Sequence, residues 1–167
     1  MQTVCQVLAN SDVMLTLVAM LCVLLPNPVA PFEPTSASWS TTYTAWPSVS
    51  CTQAPCRFSS AVGVLAGYGN GAVCTSSYAG SAWTSTTAEY LVPSTKSRYT
   101  WRAASGSLPS GAVYAGRQID GNDLWVCRMR DRFNVMRVGK AIIGACFVWD
   151  GVEFGRGPPN FDFLVFA

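Results

Sequence analysis

WRAASGSLPSGAVYAGRQIDGNDLWVCRMRDRFNVMRVGKAIIGACFVWDGVEFGRGPPNFDFLV, running from Trp101 to Val165, is the stretch that decides how this chain folds. Short apolar runs, Gly111-Ala112-Val113, Leu124-Trp125-Val126-Cys127 and Phe163-Leu164-Val165, alternate with Asp120-Gly121, Gly139-Lys140 and Gly151-Val152-Glu153. Glycine supplies the positive φ that tight turns need, so this is the writing of β-strands cut by turns. Extended over the chain, the pattern predicts strands near 61–66, 72–77, 88–92, 99–103, 112–115, 124–129, 141–148 and 161–166. Gly-Asn, Asp-Gly and Pro-Pro breaks separate them. Beyond the N-terminal region nothing has a helical period, and short, evenly spaced strands argue for an all-β sandwich or prism.

Composition narrows the function. The chain has 167 residues, one domain or one domain plus a tail, and long enough to bury a real core. Charged residues are only 12% of it, about half the share of ordinary soluble domains. A surface so poor in charge must be covered by Ser, Thr, Asn and Gly, as in extracellular β-proteins. A net charge of +2 gives no electrostatic case for nucleic acid. Arg128, Arg130, Arg132 and Arg137, interrupted by Asp131, read as the solvated face of a strand. There is no histidine, which removes Ser-His-Asp and Cys-His nucleophiles, His-based zinc and the usual general base. Cysteine spacing does not favour thiolate zinc, and acids are too few for a calcium cage. Asp120 and Asp123 are two acids close in sequence, but a turn and its edge explain them. A non-enzyme without metal or cofactor is expected.

The N-terminus is distinct. Val13 to Leu25 is an uncharged apolar run ending at Pro26, of signal-peptide length and too short for a comfortable membrane span. Residues 1–30 are therefore expected to be a hydrophobic, signal-like leader helix, and the protein secreted; an uncleaved anchor or assembly helix is the alternative. Residues 31–56 form an arm rich in Ser, Thr and aromatics. Trp39, Thr41, Tyr43 and Ala45 alternate with Ser40, Thr42 and Thr44, a strand pattern. That arm completes the domain's own sheet or pairs with the edge of a neighbouring molecule. Of seven cysteines, Cys5 and Cys22 belong to the leader; of the other five, Cys51–Cys56 and Cys74–Cys127 are candidate pairs, with Cys146 left over.

An internal repeat is also visible. Gly63-Val64-Leu65-Ala66-Gly67 matches Ala112-Val113-Tyr114-Ala115-Gly116, Gly69 to Cys74 matches Gly121 to Cys127, and Glu89-Tyr90-Leu91-Val92 matches Asp162-Phe163-Leu164-Val165. On this alignment the first copy is shorter and lacks the part that contains Gly139-Lys140.

Together these motifs resemble the DM9 repeat, the small all-β unit of sugar-binding invertebrate lectins and natterin-like toxins. The resemblance implies a pseudo-twofold β-sandwich or prism of two DM9-like units, a degraded one at 57–100 and a second at 101–167. It implies that a mannose-type glycan is held by an Asp near the first turn and the Lys of the Gly-Lys motif, which here are Asp120 and Lys140. A carboxylate accepts from vicinal hydroxyls and an ammonium donates to another, both in charge-assisted bonds. The first copy has no Gly-Lys, so one site is expected, and Arg137-Val138 stand before Gly139 where the family often has Pro. Tyr114, Trp125 and Trp149 are candidates for stacking on a sugar face or for the core. A secreted mannose-type lectin is the leading expectation. The alternative is a structural extracellular protein that self-assembles into a filament or coat through its N-terminal arm.

Overall fold

The computed structural model describes residues 4–6, 21–23, 37–43, 53–93, 99–142 and 144–167. The chain divides into two units, Met1–Glu33 and Pro34–Ala167. In the first, β1 (Val4–Gln6) and β2 (Leu21–Val23) pair antiparallel with Cys5 opposite Cys22. The apolar run expected as a helix lies outside the described residues except at 21–23, where it is strand. Residues 31–36 and 44–52 of the arm also lie outside them.

The second unit is all-β. It contains β3 (Trp39–Ser40), β4 (Ala54–Ser60), β5 (Gly63–Gly69), β6 (Cys74–Tyr78), β7 (Ser81–Ser85) and β8 (Glu89–Leu91). These are followed by β9 (Tyr99–Ala103), β10 (Tyr114–Arg117), β11 (Asp123–Arg130), β12 (Met136–Ile142), β13 (Ala145–Trp149), β14 (Glu153–Arg156) and β15 (Phe161–Phe166). Two antiparallel sheets result, one in the order β3-β8-β4-β5-β6-β7, the other β14-β13-β12-β11-β15-β9 with β10 added beside β11.

Read from opposite ends, the two orders are the same. Strands β3, β8, β4, β5, β6 and β7 correspond to β9, β15, β11, β12, β13 and β14. Register and side chains agree with that correspondence. Cys56 lies opposite Gly67 and Tyr90, as Cys127 lies opposite Gly139 and Phe163. Disulfides join Cys56 to Cys74 and Cys127 to Cys146, at separations of 18 and 19 residues. Arg57 pairs with Glu89 and Arg128 with Asp162, each at 2.7 Å, while their guanidinium groups lie over Trp39 and Trp101 at 4.5 and 4.7 Å.

This corrects two expectations. Cys56 does not pair with Cys51, nor Cys74 with Cys127, and Cys146 is not left over. The match of Glu89–Val92 to Asp162–Val165 follows the strand order, but Gly63–Gly67 and Ala112–Gly116 are not equivalent. The former is in β5, whereas the latter includes β10, a strand with no counterpart in the first sheet among the described residues. Their likeness reflects a shared need for small residues at a close approach: a Cβ at Gly116 would run into Val64. Nor does the first sheet lack the Gly-Lys segment; Gly67-Tyr68 occupies its register.

Three apolar clusters hold the unit together. Ala66 and Leu91 of the first sheet meet Val113, Ala115, Leu124, Val126, Val138 and Leu164 between the sheets. On the second sheet's other face Trp125, Cys127, Met129, Phe161, Phe163 and Val165 cluster with Ala104, Ala112 and Leu108. Cys56, Phe58, Leu65, Cys74 and Tyr90 do likewise on the first. Strands β11 and β15 are thus covered on both faces, which is why they read as continuous apolar runs. Strands β7 and β14 are polar edge strands, and β12 is punctuated by Arg137 and Lys140, so hydrophobic alternation does not reveal them. The single strand expected over 141–148 divides at Gly144, whose φ is +98°.

The described part of the arm lies on its own domain. Trp39 pairs with Leu91 and Ser40 with Tyr90, the Val92 N–H donates to the Ser38 carbonyl, and Tyr43 packs edge-on against Tyr90 at 5.2 Å.

Candidate functional site

Asp120 and Lys140 line one cavity of about 290 Å³, together with Tyr78, Gln118, Phe147 and Glu153. Several elements build it: the end of β6 supplies Tyr78, the β10–β11 turn supplies Gln118 and Asp120, and strands β12, β13 and β14 supply Lys140, Phe147 and Glu153.

The turn holds Asp120 outward. Gln118 N–H donates to the Asn122 carbonyl and Gly121 N–H to the Gln118 carbonyl. Asp120 Oδ1 accepts from Asn122 N–H at 3.1 Å, the Asx geometry that favours Asp before Gly. The carboxylate is exposed, with its other oxygen directed by no hydrogen bond found among the described residues.

Lys140 is the opposite case, with only 3% of its surface exposed. Gly139 explains how a lysine reaches this depth. A Cβ there would collide with the Phe147 carbonyl oxygen, so glycine lets β12 and β13 close tightly beside the Cys127–Cys146 disulfide. The Lys140 ammonium donates to the Ser77 carbonyl oxygen, stands 3.4 Å from Glu153 Oε1 and lies over the Tyr78 ring at 5.6 Å. An ammonium has three donors; the carbonyl and the carboxylate engage two, and no partner for the third is found among the described residues. Burial lowers the Lys140 pKa below the usual lysine value, and the charges of Glu153 and Asp120 only partly oppose this.

Glu153 anchors the arrangement. Its carboxylate accepts from Ser77 Oγ at 2.9 Å and Gly80 N–H at 2.8 Å. Burial works to raise its pKa, but Gly80, Lys140 and Ser77 outweigh that, and it lies below the usual glutamate value. One polar group is left over: the side-chain nitrogen of Gln118, a residue 4% exposed, is buried without a hydrogen-bond partner among the described residues. A buried, unpaired amide costs on the order of 1–3 kcal/mol.

Sequence reasoning had pointed to Asp120 and Lys140 and missed Gln118 and Glu153. Gln118 shares Asp120's turn, two residues earlier, but no local pattern signals its burial. Glu153 reaches Lys140 only through the pairing of β12, β13 and β14. Of the three residues considered for stacking, Trp125 is buried in the core, and Tyr114 packs edge-on to it at 6.3 Å. Neither these two nor Trp149 lines this cavity; its aromatic walls are Tyr78 and Phe147. Among the described residues no group of three or more His, Cys, Asp or Glu is placed to hold a metal ion. Nor is any helix among them long and apolar enough to cross a membrane.

Fold and site define an all-β protein of two like sheets with an aromatic-walled cavity that contains a lysine–glutamate pair between them. The family model of the DM9 repeat matches residues 55–147, across both sheets, and the chain belongs to the DM9-repeat family. No curated protein matches it.

Proposed function

We propose that this chain is a secreted, lectin-like carbohydrate-binding protein that holds a mannose-type glycan in the Lys140 cavity and performs no chemistry on it. One observation carries the reading: an exposed carboxylate (Asp120), a lysine ammonium with a donor to spare (Lys140) and a buried unpaired amide (Gln118) line a single cavity with Tyr78 and Phe147. Vicinal sugar hydroxyls need acceptors and donors at close spacing, and the apolar face of a pyranose suits an aromatic wall. DM9 membership supports the same class of ligand, and two disulfides fit an oxidising compartment. At the register of Lys140 the first sheet has Tyr68, so one site per chain is expected.

The test is titration with methyl α-mannoside and retention on mannose resin. Asp120→Ala should abolish retention with an unchanged melting temperature, because the side chain is exposed and bonds only within its own turn. Retention equal to wild type would remove Asp120 from the site, and no saccharide binding by the wild type would end the reading. Assembly into a filament or coat through the arm has less support, since Trp39 and Ser40 are already paired with β8 of the same chain.

A further inference from the structure

The correspondence of the two sheets extends to a cleft on each. On the first, Arg57, Phe58, Ser59, Thr87 and Glu89 line a cavity. On the second, the residues at the same strand positions, Arg128, Met129, Arg130, Asn160 and Asp162, line another of about 460 Å³, together with Arg156. The frame is the same in both: an arginine–carboxylate pair with the guanidinium over a tryptophan. The lining is not. Ser85, opposite Cys74, corresponds to Arg156, opposite Cys146. Ser59, Ser85 and Thr87 therefore give way to Arg130, Arg156 and Asn160. The first sheet builds the same strand order with small hydroxyl residues at those positions, so the fold does not demand the arginines.

Nor are these arginines neutralised. The carboxylates near them are engaged elsewhere: Asp162 with Arg128, Asp131 with Arg137, and Asp150 with Arg132. Among the described residues Arg130 and Arg156 form no ion pair. Arg130 Nη1 donates to the Asn134 carbonyl at 2.8 Å, and Arg156 lies over the Phe154 ring at 5.1 Å, so most of each planar fork stays open. In a chain with a net charge of +2, two unpaired guanidinium groups in one cleft are a local concentration of charge. Their geometry suits bidentate recognition of an oxoanion. Beside them Asn134 contributes an amide, and Asn160 an amide oxygen, its nitrogen donating to the Gly157 carbonyl. Acceptors beside donors fit hydroxyl groups adjoining the anion and would be idle against a bare phosphate.

We propose that this cleft binds the sulfate or carboxylate of an acidic saccharide, with Arg130 and Arg156 taking the oxoanion and Asn134 and Asn160 the neighbouring hydroxyls. It shares no residue with the Lys140 cavity and stands whether or not that cavity binds mannose. Phe133 and Val152 are exposed close to the Arg132–Asp150 pair, which makes an anionic bilayer the competing occupant.

The experiment titrates the protein with a fluorescent heparin hexasaccharide, a neutral maltohexaose and phosphatidylserine vesicles. Variants are Arg130→Ser with Arg156→Ser, which restores the first sheet's residues, and Arg102→Ser with Arg117→Ser, which removes the same charge from exposed positions outside the cleft. The expected result is salt-sensitive binding of the heparin hexasaccharide and none of maltohexaose at this cleft. The cleft variant should weaken that binding at least about tenfold and the control less than about twofold. Equal losses in both variants would reduce the attraction to diffuse charge and overturn the proposal. So would absence of heparin binding, or arginine-dependent binding of vesicles alone. Arg156→Ser by itself, on an edge strand, decides the matter if the double variant does not fold.

Discussion

Lys140 and Glu153 stand 3.4 Å apart across two strand pairings, an ion pair whose lysine is almost wholly buried. Removing one member of such a pair leaves the other charged in a poor solvent. Glu153→Gln keeps the shape and deletes the charge. It should cost about 2–3 kcal/mol in a denaturant melt, less than a fully buried pair because Glu153 keeps 17% of its side chain in water. The sign for binding follows from the same contact. Glu153 partly offsets the burial that depresses the Lys140 pKa, so its loss lowers that pKa further. Mannoside binding that needs the ammonium should then fade at lower pH in the variant than in the wild type. A binding-pH profile identical in both would mean that the ammonium does not contact the ligand.

Gly139 lies opposite Cys127 and Gly67 opposite Cys56, so each disulfide crosses a strand pair at a glycine. At both positions a Cβ would meet backbone of the next strand, the Phe147 or the Thr75 carbonyl. Gly139→Ala should therefore cost about 2–3 kcal/mol by overpacking. Gly121→Ala, where φ is +85° and the space is open, should cost about 1 kcal/mol from backbone conformation alone. Comparable melting temperatures for the two variants would show that β12 and β13 do not close as tightly as described. Reduction of either disulfide should cost about 3 kcal/mol, as expected for loops of 18 and 19 residues.

How much of this could be read from the chain depends on the range of the interaction. Turns declared themselves locally, as at Asp120-Gly121, and central strands such as Leu124–Cys127 through their apolar runs; Gly139-Lys140, expected as a break between strands, lies inside β12. Polar edge strands did not, because Ser81–Ser85 and Glu153–Arg156 carry little hydrophobic alternation. Cysteine pairing and the repeat's register were hidden for another reason. Gly, Ala and Val recur wherever strands approach closely, so local similarity linked β5 to β10, while the true correspondence runs through Cys56 with Cys127 and Trp39 with Trp101. At the candidate cavity, the family's motif pointed to Asp120 and Lys140, which line it together; the place of Glu153 depended on strand order, and that of Gln118 on burial, which no local pattern encodes.

Acid should loosen the β11–β12 and β13–β14 hairpins. Hydrogen bonds from Arg132 hold the Asp150 carboxyl at a pKa of about 2, against the usual 3.8. At Asp131 burial pushes upward, but Arg137 and the Val135 and Phe133 N–H groups outweigh it and hold its pKa down. Both folded-state values are depressed, so the stabilisation is complete above the unfolded pKa and is lost as pH falls through the folded one. For Asp150 that window runs from pH 3.8 down to about 2. Asp150→Asn should flatten the dependence of stability on pH within it and leave the slope near neutrality unchanged. A wild-type unfolding free energy constant across the window would contradict the assignment.

Gln118 separates a ligand-binding role from a structural one most cleanly. Its buried nitrogen lacks a partner among the described residues, so in the free protein it is a cost. Gln118→Met keeps the length and volume of the side chain while removing the polar group. If the amide exists to meet a ligand, the variant should melt no lower than the wild type and gain up to about 1 kcal/mol. Its affinity for methyl α-mannoside should fall about tenfold, the worth of one good hydrogen bond in a dry site. A structural role would give the reverse: lower stability, with affinity unchanged. Paired melts and titrations on one preparation distinguish the two, because a bond made only in the complex leaves no trace in the melt of the free protein. Adding the mannoside should then raise the wild-type melting temperature more than the variant's, by an amount set by the affinity difference at that ligand concentration.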